Sequence, residues 1–261
     1  MNLLDQIIAG KRKEIALKKS VISSNQLENT ALFKAKTYSL SKSIFNSPFG
    51  IIAEHKRRSP SKGTINYSLS VKEVVTGYEK GGASGISVLT DSQYFGGSLD
   101  DLLLAKATVN TPLLCKEFII DEYQILEAKA HGADAILLIA AVLTRAEIKS
   151  LSEFAHSIAL EVLLEVHNLE ELEKSIMPSL DIIGVNNRNL KTFEVSLQNS
   201  IDLASHIPTD FVKISESGLS TVDDLKLLKS HGFQGFLIGE NFMKTNNPGQ
   251  ALEQFITQLK A

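Results

Sequence analysis

Glu54 and Lys56 stand two residues apart at the end of the apolar run Ile51-Ile52-Ala53. In an extended segment side chains alternate between faces, so this carboxylate and ammonium share a face and can pair, while His55 takes the other. Acid–base chemistry and a structural ion pair both fit that spacing. Lys116 ends the run Thr111-Pro112-Leu113-Leu114-Cys115. An isolated ammonium at the mouth of a fold would lose hydration and have its pKa driven down, which suits a general acid or a Schiff-base amine, although a solvated lysine fits as well. Glu165 follows Glu161-Val162-Leu163-Leu164 and reads as an acid/base or as the counter-charge of Lys116 or Lys56. Asn186 and Arg188 share parity after Ile182-Ile183-Gly184-Val185. A planar guanidinium matches a carboxylate and an amide both donates and accepts, though asparagine-rich segments are also ordinary turns.

Ser215-Glu216-Ser217-Gly218 and Leu237-Ile238-Gly239-Glu240 each put glycine where a strand hands over to a loop. Backbone amides there, backed by a short helix, can cradle a phosphate. Lys56, Arg57, Arg58, Lys62, Lys116 and Arg188 add positive charge at strand ends in a chain whose net charge is −3, so a local field would draw in an anionic substrate. His55 has the wrong parity to join Glu54 and reads as a partly exposed scaffold residue. No other histidine is expected at a strand end beside a carboxylate, and His131 and His231, each before a glycine, read as structural. Cys115 packs behind its strand.

These residues need a scaffold that brings separate strand ends together. From Gly50 onward, short apolar, β-branched runs alternate with longer helical patterns, with strands beginning near Ile51, Gly85, Pro112, Asp134, Glu161, Asp181, Phe211 and Gly235. Eight βα units close a (β/α)8 TIM barrel. An open, doubly wound sheet is the alternative, but it concentrates its site at one switch point, whereas polar residues here recur at most strand ends. Thr144 with Glu147, Asn168 with Glu171 and Ser220 with Asp223 have helix-capping spacing, and Gly82, Gly132 and Gly232 sit where left-handed C-terminal caps belong. Ahead of the barrel, 48–261, lies an N-terminal helical extension, 1–47. It comprises an amphipathic helix from Asn2 to Lys19 and a polar connector, Ser20 to Ser47, with one more short helix. The whole chain, 1–261, reads as a single domain.

Charge is spread without a basic stripe, so neither nucleic acid nor an anionic membrane is an expected partner. Met1 begins a polar amphipathic stretch with no secretory pattern, no apolar run reaches the length of a membrane span, and one cysteine excludes an internal disulfide or a multi-cysteine metal cluster. A cytoplasmic location is expected.

The strings Ile51-Ile52-Ala53-Glu54-His55-Lys56-Arg57-Arg58-Ser59-Pro60-Ser61, Ser87-Val88-Leu89-Thr90, Leu114-Cys115-Lys116-Glu117-Phe118-Ile119-Ile120-Asp121 and Ile183-Gly184-Val185-Asn186-Asn187-Arg188-Asn189-Leu190, followed by the two glycine motifs, resemble the indole-3-glycerol-phosphate synthase family. The resemblance spans essentially the whole chain. It implies a carboxy-lyase of tryptophan biosynthesis, needing no cofactor or metal, that acts on a small phosphorylated substrate, with a monomer as the implied state. On the family pattern Lys116 is the general acid at the substrate carbonyl, and Glu165, with Glu54, assists later proton losses and dehydration. Lys56 holds the substrate carboxylate. Asn186 and Arg188 contact substrate, Glu216 and Ser217 lie near the reacting centre, and Ser59, Gly218, Gly239 and Glu240 bind phosphate, the last through its amide. Phe95, Phe118 and Leu137 are candidates for an apolar wall against the aromatic ring. Glu117 and Glu240 depart from the family's usual aspartate and serine. A related isomerase that works through a cysteine and an aspartate, and a barrel that only binds, are the competing readings.

Overall fold

The computed structural model describes residues 3–189 and 192–261; Met1, Asn2 and Leu190, named above, lie outside them. Eight strands form the barrel: β1 Ile51–His55, β2 Gly85–Leu89, β3 Leu113–Lys116, β4 Ala135–Ile139, β5 Glu161–Val166, β6 Ile182–Asn186, β7 Val212–Glu216 and β8 Gly235–Ile238. Each pairs in parallel with the next, and β8 closes on β1 through Ile51↔Phe236, Ile52↔Leu237 and Ala53↔Ile238. The open-sheet alternative is thereby removed. No strand starts more than one residue from its expected place, so the parity arguments survive.

Chain punctuation follows the expected chemistry with one shift. Thr144 and Glu147 form a reciprocal capping box, and Asn168 accepts from the Glu171 amide. The third cap is Thr221 with Asp224, one residue beyond the expected Ser220 with Asp223. Gly82, Gly132 and Gly232 have φ of 90°, 90° and 88°, the left-handed backbone that lets a helix end and the next strand begin.

The connector is more structured than its composition suggests. Helix α1, Leu3–Val21, is followed by two short helices, α2 Ser24–Glu28 and α3 Leu40–Phe45, in place of the single one expected. Leu40 and Ile44 of α3 pack among Ile52, Leu114, Ala135, Ile182, Ile214 and Leu237, which come from six barrel strands. They plug the floor of the barrel. Gly85 and Gly235 make the space: a Cβ at Gly85 would collide with Leu40 Cδ1, and one at Gly235 would come within 2.8 Å of Ile44 Cγ2. Leu40 is fully buried, so Leu40→Ala should lower unfolding free energy by about 2–5 kcal/mol, read as an earlier urea midpoint.

At the other end α1 reaches the barrel mouth. Lys11 is buried and meets Asp91 at 2.9 Å, Glu14 at 3.0 Å and Glu117 at 3.1 Å. Burial works against the charged form, but these carboxylates overcome it and raise the ammonium's pKa above its ordinary value. Glu117, the residue that departs from the family's aspartate, thus fastens the extension beside Lys116. No helix among the described residues is long and apolar enough to cross a membrane.

Candidate active site

A cavity of about 690 Å³ opens at the carboxyl ends of the strands. Strand parity directs Glu54, Lys116, Glu165 and Asn186 into it, together with Lys56, Arg188, Ser59, Ser217, Gly218, Gly239 and Glu240 from the loops. Its apolar wall contains Phe95, Phe118 and Leu137, with the two phenylalanine rings 6.0 Å apart at a tilt of 41°. Leu3, Leu4 and Ile7 of α1 and Phe193 and Val195 of the loop after β6 also face it. The three α1 residues were missed because amphipathicity marks a helix's apolar face without saying what that face covers, and the two loop residues because a lone apolar side chain in a polar loop carries no periodic signal.

At the base of the cavity Lys116 Nζ lies 2.7 Å from Glu216 Oε2, 3.5 Å from Glu54 Oε2 and 4.0 Å from Glu165 Oε2. Lys56 Nζ contacts the other Glu54 oxygen at 2.5 Å. The expectation that Lys116 would be driven to a lower pKa is reversed. Desolvation does pull it down, but Glu216, Glu54 and Glu165 outweigh it, and the ammonium holds its proton more firmly than an ordinary lysine. A buried charge is tolerated because it is paired.

The carboxylates differ among themselves. Burial favours the protonated form of Glu54, yet Lys56 and Lys116 keep it below the usual carboxylate range. Burial acts likewise on Glu165 and is overcome by His167, Lys116 and Asn186, leaving it strongly depressed. Glu216 goes the other way: burial raises it, and Lys116 does not fully offset the burial and the nearby Glu165 and Glu54. Glu216, expected near the reacting centre, lies beside Lys116 but does not line the cavity; it sits beneath the ammonium, 1% exposed, with Oε1 unpartnered. Gly184 makes room for it, since a Cβ there would collide with Glu216 Oε1.

Asn186 Oδ1 accepts from the Arg188 amide at 2.9 Å, and Arg188 Nη1 donates to Phe193 O at 3.3 Å. Asn187, of opposite parity, donates through Nδ2 to Ser215 Oγ at 2.9 Å and Ser217 O at 3.1 Å. Those bonds hold Ser217 at φ 67°, unusual for a residue with a Cβ, directly before Gly218 at φ 77°. Gly239 is obligatory for another reason: a Cβ would collide with Glu54 Oε1. The Glu240 carboxylate engages Lys62 at 3.4 Å on the rim.

Two of the six cations expected at the mouth are elsewhere. Arg57 makes a two-pronged contact with Asp101 and donates to Gly96 O at 2.9 Å, while Arg58 donates to Ser92 O at 2.8 Å. Neither lines the cavity, because both brace the loop after β1 against the segment after β2. His55 faces away from the cavity as parity requires, but it is buried rather than partly exposed, and burial pushes its imidazole down to about 4. Cys115 is buried outside the barrel lumen, with burial pushing its thiol up to about 12. His131 and His231 cap helix ends.

One histidine contradicts expectation. His167, directly after β5, has Nε2 3.3 Å from Glu165 Oε1 and Nδ1 3.1 Å from Glu171 Oε2. The signal was present in the sequence: Glu165, His167 and Glu171 place carboxylates two residues before and four residues after the ring.

Residues 4–255 match the family model described as indole-3-glycerol phosphate synthase. The chain belongs to that family. Among similar proteins, the indole-3-glycerol phosphate synthase of Bacteroides thetaiotaomicron is 48% identical over 99% of both chains. That of Bordetella pertussis is 39% identical over 98% of this chain and 99% of its own. Among solved structures, thiamine phosphate pyrophosphorylase from Pyrococcus furiosus superimposes with a TM-score of 0.60 at 15% identity, covering 85% of this chain and 98% of its own; that likeness concerns the barrel alone. Membership of the synthase family also makes the chain an enzyme and sets aside the reading of a barrel that only binds; Glu54, Lys116 and Glu165 are all present.

Proposed function

We propose that this protein converts 1-(2-carboxyphenylamino)-1-deoxyribulose 5-phosphate into indole-3-glycerol phosphate, carbon dioxide and water, acting as a carboxy-lyase of tryptophan biosynthesis. The observation that carries this reading is the Lys116 ammonium held among three carboxylates at the base of a cavity with an apolar wall. Ring closure needs a flexible substrate folded so that an aromatic carbon reaches the ketone, and a proton for the oxygen that becomes an alcohol. Phe95, Phe118 and Leu137 hold the ring while Lys56 and Arg188 hold carboxylate charge. Lys116 donates to the ketone oxygen as the carbon–carbon bond forms. Loss of carbon dioxide follows and restores the aromatic ring; in the dehydration the hydroxyl leaves as water on taking a proton from Lys56, while Glu165, assisted by Glu54, accepts the proton lost from the adjacent carbon.

Ser59, Gly218, Gly239 and the Glu240 amide bind the phosphate in this reading. The left-handed Ser217-Gly218 pair supports it, since successive turned amides form an anion-binding concavity, and so does the attachment of the Glu240 carboxylate to Lys62, which offsets its repulsion of phosphate. Cysteine-based isomerase chemistry has no support at this cavity, because Cys115 is buried elsewhere. The protein works as a cytoplasmic monomer of one domain, with 1–47 as the extension to a barrel at 48–261. Its chain has no tryptophan, so indole fluorescence should rise cleanly when purified protein meets the anilino-ribulose phosphate. A flat trace would overturn the assignment.

A further inference from the structure

His167 is flanked by carboxylates on both ring nitrogens, and the outer one is itself immobilised. Glu171 Oε2 accepts from the His167 backbone amide at 2.8 Å, and Glu171 Oε1 accepts from Asn168 Nδ2 at 3.1 Å. The Glu171 amide in turn donates to Asn168 Oδ1 at 2.9 Å, closing the cap of the helix Leu169–Ser175. Nδ1 is hydrogen-bonded to Glu171 Oε2, while Nε2 lies 3.3 Å from Glu165 Oε1 without the alignment of a hydrogen bond, so a neutral ring would leave its lone pair against a carboxylate and the imidazolium instead sets a positive charge between the two. The ring is largely buried, so water does little to screen that charge. Yet His167 does not line the cavity and acts on substrate only through Glu165.

We propose that His167, clamped by Glu171, is a positioning residue whose charge beside Glu165 holds that carboxylate ionised, so that Glu165 serves the reaction only as a proton acceptor. The proposal rests on the reading of Glu165 as a base. Glu165 faces Lys116 from β3, Asn186 from β6 and His167 from the turn directly after its own strand, with Glu54 on β1 and Glu216 on β7 gathered about the same ammonium. When Lys116 gives its proton to the substrate, its positive charge vanishes. Without a second cation Glu165 would compete for that proton. With His167 beside it, Glu165 remains a carboxylate throughout the donation step, and the acid and base stay distinct although they are 4.0 Å apart. Glu216, lacking such a partner, is the carboxylate pushed upward.

The sign of the pH dependence follows. Burial alone would lower the imidazole's pKa, but Glu165 and Glu171 raise it to about 10, while Glu165 is held below the ordinary range. The pair is therefore intact from mildly acidic pH up to about pH 10, where the ring gives up its proton. In His167→Gln the acidic limb of kcat should move up by more than one pH unit, with kcat reduced roughly tenfold to a hundredfold and KM changed by less than about threefold. Glu171→Gln keeps the helix cap and should shift the limb the same way by less. Nitrogen-15 spectra of the ring should show both nitrogens protonated at pH 8 in the wild type. A neutral ring at pH 8, or an unmoved acidic limb in both variants, would overturn the proposal. Because the spectra need no turnover, an inactive wild type with a charged ring would instead count against the assigned activity and the Glu165 base on which the proposal rests.

Discussion

Lys116→Met should lower kcat by about a thousandfold or more while leaving a folded protein. Methionine retains length and apolar bulk but removes the proton donor and the centre of the carboxylate cluster. Removing one partner of a buried ion pair is often ruinous to stability, yet each carboxylate left behind has somewhere to turn. Glu54 keeps Lys56 at 2.5 Å and Glu165 keeps His167 at 3.3 Å. Glu216, already pushed upward by burial, can take up a proton. Loss of indole fluorescence with unchanged circular dichroism is the expected pair of readings. Activity within tenfold of wild type would remove Lys116 from the role of acid.

Glu165→Gln should cost about 10²–10⁴-fold in kcat with little change in KM, because the amide preserves shape but cannot accept a proton. The wild-type profile supplies a second check. A carboxyl held below its ordinary range stays ionised as pH falls, so wild-type kcat should show no acidic limb from Glu165 above about pH 4. An alkaline limb should lie beyond the usual lysine range, since Lys116 is shifted upward. An acidic limb at pH 6 that disappears in Glu165→Gln would contradict the electrostatic picture, and steady-state kinetics between pH 4 and 10 would reveal it.

The barrel was legible because short continuous apolar runs, buried on both faces, and glycine caps are local signals, and strand starts were placed well enough to preserve parity. Parity alone placed Glu54, Lys116, Glu165 and Asn186 in the lumen and Cys115 outside it. What escaped was whatever depends on partners distant in sequence. The direction of the Lys116 shift depends on Glu54 and Glu216, contributed by β1 and β7. Arg57 left the mouth because Asp101, 44 positions away, offers it a two-pronged acceptor. The connector looked polar because α3 commits only Leu40 and Ile44 to the interior, too few for periodicity to register. His167 was different: its carboxylates are local, and a search for histidines flanked by Glu on both sides would have found it.

The plug formed by α3 also bears on the order of assembly. Leu40 and Ile44 are made early on the ribosome, but their socket includes Ile214 and Leu237 and is bounded by Gly235. Its last wall emerges almost two hundred residues later. Contacts of such long sequence separation form slowly and late, so a helix ahead of the barrel must wait for the last strand, and the barrel's floor is set only as its ring closes.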